Sequence, residues 1–585
     1  MRKSLSSVLL GLSLVSPACK AKRESPSIDL VSNESTVVHA TAEDSPPPED
    51  KAESRGDETA MALDEGKMGK GLHDSIGARE QAIEIARSAG VLGSISAGYD
   101  SAGAYGAGLG AGRLNALARG ADISSGFDEA YHDWGKNPWT DAAKDHLSTF
   151  AADVDTASYT IARRKLTEGM LPQSAAVRVE EFVNYFRYAF PEPTAGSPFA
   201  VVMDAAPSPL SPGRHILRVG IATKPKSVGE RKPAHLVFLV DVSGSMSSPD
   251  KLELAKKSLR ILTNNLKDGD TVALVTYVGA TELVLPATGL DHKAEILGAI
   301  DRLETGGSTA MGSGIDLAYQ QAMKGKTPGA ISRVIVCTDG DANVGAHTHD
   351  ELLRIIAGRA KEGVTLSTIG FGMGNYKDEL MEQLADKGNG NNFYIDGLSA
   401  AKKVFQEQLG STLEVVAKDV KLQVDFDPQL VARYRLIGYE NRDIKDDDFR
   451  NDKVDAGEIG AGHQVTALYE LELTQQGKLS NAPLGGVRIR HKPPRGEKAT
   501  EATFPMPGGA MASFANAPVD FRFAFAVAAF ADVLRHGQDA EHWSLAQIRD
   551  LAKASAGDDA DRKELVGLIE KATTLKSRTA QLTRP

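Results

Sequence analysis

Asp241, Ser243 and Ser245 stand at alternate positions where an apolar run ends, in "LVFLVDVSGSMSS" at residues 236–248. One carboxylate and two alcohols in a turn that Gly244 lets bend can aim their oxygens at a common point. In an open parallel sheet, ligands sit at the carboxyl ends of strands, near the place where strand order reverses. Two more oxygen donors occupy such places. Thr309 lies in "TGGSTAMGSGIDLAY", where a glycine-rich loop opens a helical pattern, and Asp339 closes a second apolar run in "RVIVCTDGD". The five residues form an oxygen-only set without histidine. Hard oxygen donors select Mg²⁺, with Mn²⁺ or Ca²⁺ as alternatives, over zinc. The competing explanation is that each residue caps a helix or turn, as Ser and Asp commonly do. It explains one such residue well and five together poorly.

The elements around this set change rhythm along the chain. From about 235 to 410, short apolar runs ("HLVFLVD", "TVALVTYV", "SRVIVCTD", "VTLSTIGFG") alternate with amphipathic patterns such as "KLELAKKSLRILTNNL". That alternation predicts a Rossmann-like α/β domain, a mostly parallel sheet with helices on both faces. On either side the period becomes two. In "KDVKLQVDFDP", Val420, Leu422, Val424 and Phe426 point inward, and Lys421, Gln423 and Asp425 point to water; "RHILRVGIA", "QVTALYELEL" and "GVRIRH" behave alike. Such segments predict an antiparallel sheet with one wet face. The α/β domain is therefore expected to be inserted in an antiparallel β-sandwich built from both flanks, with two separate β units as the alternative. Val179, Phe182, Val183 and Phe186 mark a helix before the sandwich, with Ser174 as its N-cap. Phe523, Val527, Phe530 and Leu534 mark an apolar stripe in a helical tail. The expected boundaries are 1–19 for a signal peptide, 20–145 for a disordered tether and Gly-rich linker, and 146–232 for helices and sandwich strands. The α/β domain takes 233–411, the rest of the sandwich 412–515, and the helical end 516–585.

At 585 residues the chain exceeds one core, and its net charge of -11 argues against a nucleic-acid partner. "MRKSLSSVLLGLSLVSPAC" has a basic start, an apolar stretch and small residues before Cys19, the pattern of an export signal. Ala18 before Cys19 fits a lipobox, although Ser16 stands where leucine is usual, so Cys19 is a candidate lipidation site and membrane tether. The other cysteine, Cys337, is expected to be a buried, inert thiol. Residues 20 to about 75, with "EDSPPPEDKAESRGDE" at their centre, and the Gly/Ala/Ser-rich run from Ala97 to Gly112 read as tether and linker.

The set Asp241-Val-Ser243-Gly-Ser245, Thr309 and Asp339 resembles the metal-ion-dependent adhesion site of von Willebrand factor type A (vWA) domains, in order and in context. "STFAADVDTASYTIARRKL", "AVRVEEFVNYF", "PGRHILRVGI" and "GHQVTALYEL" further resemble a group of bacterial exported vWA proteins with characteristic segments before and after that domain. The resemblance implies that Ser243, Ser245 and Thr309 supply hydroxyls and that Asp241 and Asp339 act directly or through water. It also implies a protein ligand whose carboxylate completes the shell. The expectation is an exported binding protein, tethered in the cell envelope or otherwise secreted, with no catalytic residues, no further cofactor and no small-molecule substrate. The alternatives are a scaffold of an envelope complex that needs no metal, and a metal-dependent hydrolase. Against the hydrolase, "G-x-S-x-G" and the Walker sequence are absent, and His347 and His349 sit in a hydrophilic stretch.

Overall fold

The computed structural model describes residues 129–582 apart from 130, 153–154, 195, 308–310, 341–347, 373–375, 455, 495 and 538–539. Cys19, Thr309, His347 and the tether and linker expectations up to residue 128 lie outside the described residues. The end of the linker expected over 20–145 is corrected, because Thr140–Asp141 is a strand paired with Tyr434 and Arg433 of the sandwich.

Before the α/β domain come β1 (Thr140–Asp141), β2 (Leu147–Ala151), β3 (Phe199–Pro207) and β4 (His215–Thr223). The domain itself holds β5 (Ala234–Asp241), β6 (Thr271–Tyr277), β7 (Thr281–Gly289), β8 (Ile331–Thr338), β9 (Thr365–Phe371) and β10 (Asn392–Ile395). After it follow β11 (Val415–Phe426), β12 (Val431–Ile437), β13 (Glu458–Gly460), β14 (Gln464–Leu473), β15 (Gly485–Lys492) and β16 (Thr500–Pro505).

The central sheet runs β10-β9-β8-β5-β6-β7, parallel throughout except for the antiparallel edge strand β7. All eight residues of β5 are buried. Leu236, Phe238 and Val240 face one apolar layer with Leu259 and Leu262 of helix Leu252–Asn264. Val237 and Leu239 face the other, with Met311 and Ile315 of helix Met311–Lys324 and Leu352 of helix His349–Lys361. Burial on both faces is why β5 reads as an unbroken hydrophobic run. Strand order reverses beside β5, because β6 lies on one side and β8 on the other.

The flanking strands form two antiparallel sheets, β1-β12-β14-β4-β3 and β13-β11-β15-β16, with β2 paired to β11. Phe150, Val219, Leu422, Val424, Phe426, Tyr469 and Val487 fill the space between them. The strand pairings join residues from both sides of the α/β domain, for example Gly220 with Thr466 and Phe150 with Leu422. The domain's entry and exit are clasped by one side chain. Glu414 accepts from Lys226 Nζ at 2.7 Å and from the Lys232 backbone N–H at 3.2 Å.

Two further expectations need correction. The polar residues assigned to a wet face are largely buried: Arg218, Lys421 and Gln423 are each at most 3% exposed. Other layers cover them. Helices Val179–Tyr185 and Val519–Leu534 pack over the outer side of the β4–β14 sheet, and Arg218 pairs there with Asp204. Lys421 donates to the Asn451 carbonyl at 2.6 Å, and Gln423 to Thr149 Oγ1 at 2.9 Å. Hydrogen bonding to protein replaces water, as burial of a polar group requires. The second correction concerns Ser174. It opens a short 3₁₀ turn, Ser174–Ala176, and the helix begins at Val179 after an extended Arg178. The tail helix Val519–Leu534 buries almost its whole circumference beyond the expected stripe, enclosed by helices Leu545–Ser555 and Ala560–Leu582 and by Phe182 and Phe186.

Candidate metal centre at the carboxyl ends of β5 and β8

Asp241 is the last residue of β5, and Asp339 directly follows β8, so the parallel pairing of these two strands brings both carboxylates to one end of the sheet. Each is fully buried. In the turn after β5, Ser243 Oγ and Ser245 Oγ lie 2.9 Å apart and share a hydrogen bond. Asp241 sits beneath them and is held from three directions. Its Oδ1 accepts the Ser243 backbone N–H at 2.9 Å. Its Oδ2 accepts the Thr338 hydroxyl at 2.9 Å and the Tyr277 hydroxyl at 3.2 Å. A carboxylate offers about four lone-pair directions, so three donors fix its orientation and leave little of it free. Burial pushes the Asp241 carboxyl above the usual carboxylate range; the charge of Asp339 adds to that, and the Ser243 and Thr338 donors oppose it.

The loop that leads toward Thr309 is tied to this turn. Gly306 N–H donates to the Val242 carbonyl at 2.8 Å, and Gly244 N–H donates to the Gly307 carbonyl at 3.2 Å. Gly307 has φ +69°, and a Cβ there would come within 2.7 Å of Val278 Cγ2, so only glycine fits the close approach. The chain is described again from Met311, where the helix begins. Four of the five candidate residues are thus placed, with Ser243 hydrogen-bonded to both Asp241 and Ser245 and with Asp339 at the neighbouring strand end.

Three participants were not singled out in the sequence. Thr338 and Tyr277 follow from register, since Tyr277 pairs with Asp241 and Thr338 is next after Cys337, the partner of Val240. A strand-by-strand alignment of the apolar runs carries that signal. The third, Lys251, places its ammonium 2.8 Å from Asp339 Oδ2, and no spacing rule points to it. Among nearby residues, Asp250 is engaged with Arg164 and Ser248, and His349 Nε2 contacts Gln383 Oε1 at 2.7 Å. Cys337 is buried, and its thiol is held well above the ordinary thiol range by that burial.

The donor set suits a hard cation. Among the described residues, no cluster of three or more His, Cys, Asp or Glu could hold a metal ion. The polar side chains gathered at this end of the sheet are alcohols and two buried acids.

The von Willebrand factor type A domain profile matches residues 235–407. A profile described as von Willebrand factor matches 125–218, and one described as the C-terminal part of the uncharacterized protein YfbK matches 411–575. The chain is 41% identical over 482 residues to the uncharacterized protein YfbK of Escherichia coli K12, across 78% of this chain and 83% of that one. It is 25% identical over 296 residues to the uncharacterized protein sll0103 of Synechocystis, across 50% of this chain and 69% of sll0103. A solved von Willebrand factor type A structure from Catenulispora acidiphila aligns at 20% identity and a TM-score of 0.36, over 64% of this chain and 89% of that one.

Proposed function

This chain belongs to the family of the Escherichia coli protein YfbK, and on that premise we propose that it is a metal-dependent protein-binding module. Ser243, Ser245 and Thr309 hold Mg²⁺, or Mn²⁺ or Ca²⁺ in its place, with Asp241 and Asp339 behind them. A bound dication of this kind supplies an under-neutralised positive charge to an acidic side chain of a protein partner. The chain's own part is positioning. Tyr277, Thr338 and the Ser243 N–H keep Asp241 aimed at the site, where it acts through water, because its oxygens already serve three donors. The observation that carries the reading is the pair of serine hydroxyls 2.9 Å apart at the end of the buried strand β5.

The export signal and Cys19 add a second part to the proposal: the module is tethered by lipid in the cell envelope and meets its partner there. Mass spectrometry of the mature amino terminus tests the tether; an unmodified terminus other than Cys19 overturns it. For the binding function, the full chain is used to capture partners from envelope extract with Mg²⁺ or with chelator. Capture that needs Mg²⁺ and is lost in Asp241→Ala/Ser243→Ala supports the reading. Capture unchanged by both treatments refutes it, and turnover of a phosphate or ester abolished by the same change replaces it with a hydrolase.

A further inference from the structure

Lys251 sits immediately before helix Leu252–Asn264, with its backbone fixed on both sides. Its N–H donates to the Ser248 carbonyl at 3.0 Å, and its own carbonyl accepts from Ala255 N–H at 2.8 Å. From there the side chain runs inward across Gly372, the residue after β9. A Cβ at Gly372 would lie 2.3 Å from Lys251 Cγ and 2.5 Å from its Cε, and Gly372 has φ +71°. The missing side chain is what opens the lysine's path. At its end the ammonium meets Asp339 at 2.8 Å, with the lysine side chain 9% exposed and the aspartate fully buried. Most lysines keep their charge in water. This one is delivered through a fitted groove to one of the two buried acids at the candidate metal centre.

We propose that Lys251 is a built-in competitor of the divalent cation: it occupies Asp339 when no metal is bound and must withdraw for metal to enter. The inference rests on the metal-site reading above and adds what sets the site's affinity. Two buried carboxylates need a counter-charge, and a covalently attached ammonium provides one without any ion from solution. A dication and that ammonium repel each other when both lie near one carboxylate, so the two compete for Asp339. Apparent affinity falls in proportion to the fraction of molecules in which the site is open. If Lys251 holds Asp339 for roughly nine tenths of the time, its removal tightens metal binding roughly tenfold.

The test uses the full chain and Mn²⁺ as the probe, with binding read by electron paramagnetic resonance of free Mn²⁺ and by the thermal midpoint in chelator and in excess Mn²⁺. Lys251→Met keeps the aliphatic stem and removes the charge. Lys251→Gln retains a donor for Asp339 should the methionine variant fold poorly. Both are expected to bind Mn²⁺ roughly tenfold more tightly than the unaltered chain, to melt lower in chelator, and to regain the loss when Mn²⁺ is added. Equal or weaker binding by both variants, with the unaltered chain binding Mn²⁺, overturns the competitor role and leaves the metal site standing. No Mn²⁺ binding by any of the three chains overturns both.

Discussion

Two groups of buried carboxylates lie on either side of one short stretch of chain, and their charges are balanced in opposite ways. At the carboxyl ends of β5 and β8, Asp241 and Asp339 are served by hydroxyls, a backbone N–H and the single long arm of Lys251. Where the domain meets the sandwich, rigid guanidinium forks do the work. Arg178 pairs with Glu181 and Asp378, and Arg442 reaches Asp155 and Glu382 at 3.1 Å and Asp386 at 3.0 Å. The acids come from helix Val179–Tyr185, helix Asp378–Lys387 and, for Asp155, the segment between β2 and helix Ala157–Thr167, while Arg442 lies in the sandwich segment after β12. The two groups meet at Gly340, where a Cβ would lie 2.7 Å from the Lys377 backbone N, one residue before Asp378. Planar, multiply bonded arginines suit a permanent joint, and a flexible lysine suits a charge that has to leave. The contrast separates the multiply bonded pairs that fasten the domain from the single lysine pair at the candidate metal centre.

The comparison can be broken first at the seam. Arg442→Met takes away the guanidinium that Asp155, Glu382 and the partly exposed Asp386 share, Glu382 keeping Arg178 at 4.0 Å, and removing one partner of a buried ion pair typically costs about 3–5 kcal/mol. Urea unfolding should show a loss of that size, and a loss well below that range would mean the seam is no firmer than the candidate metal centre.

A smaller effect, read by pH, is expected beside the seam. Glu180 is buried beside Glu440 and Glu181, and burial first, with those charges second, pushes its carboxyl up to about 7. A carboxyl raised above its unfolded value binds more protons when folded, so its contribution to stability is complete below about 4.5 and is lost as pH rises toward 7. Urea midpoints should therefore fall across that window, and Glu180→Gln should flatten the fall by on the order of 1–3 kcal/mol. An unchanged slope would show that Glu180 is ionised in the folded chain.

The smallest effect belongs to the candidate metal centre. Tyr277→Phe deletes one of the three donors on Asp241 with little change of volume, and a single hydrogen bond contributes about 1 kcal/mol. The thermal midpoint should drop slightly with the fold intact. A loss as large as that at Arg442 would mean that Asp241 relies on one donor and not on three.

How far the sequence spoke depended on whether a residue's partners were near in the chain or in register. β5, β6, β8 and β9 were legible because burial on both faces writes itself as continuous apolar runs. Asp241, Ser243 and Ser245 were legible because one turn holds all three. Lys251 was not, because its groove exists only where Gly372 passes, 121 residues away. The seam was not, because Arg442 and Asp155 are 287 residues apart. The wet face assigned to β4 and β11 failed for a related reason. Period-two alternation reports polarity, and polar side chains such as Lys421 remain polar when protein carbonyls replace water.

Glu414 ties together the strand of chain that leaves the sandwich and the one that returns to it. Nearly half of the sandwich strands are made before the α/β domain is synthesised, yet β4 finds its neighbour β14 only afterward. Closing so long a loop from an unfolded chain is slow and entropically opposed. A folded insert with its two ends already side by side removes most of that obstacle. Folding of the α/β domain and closure of the sandwich around it therefore favour each other.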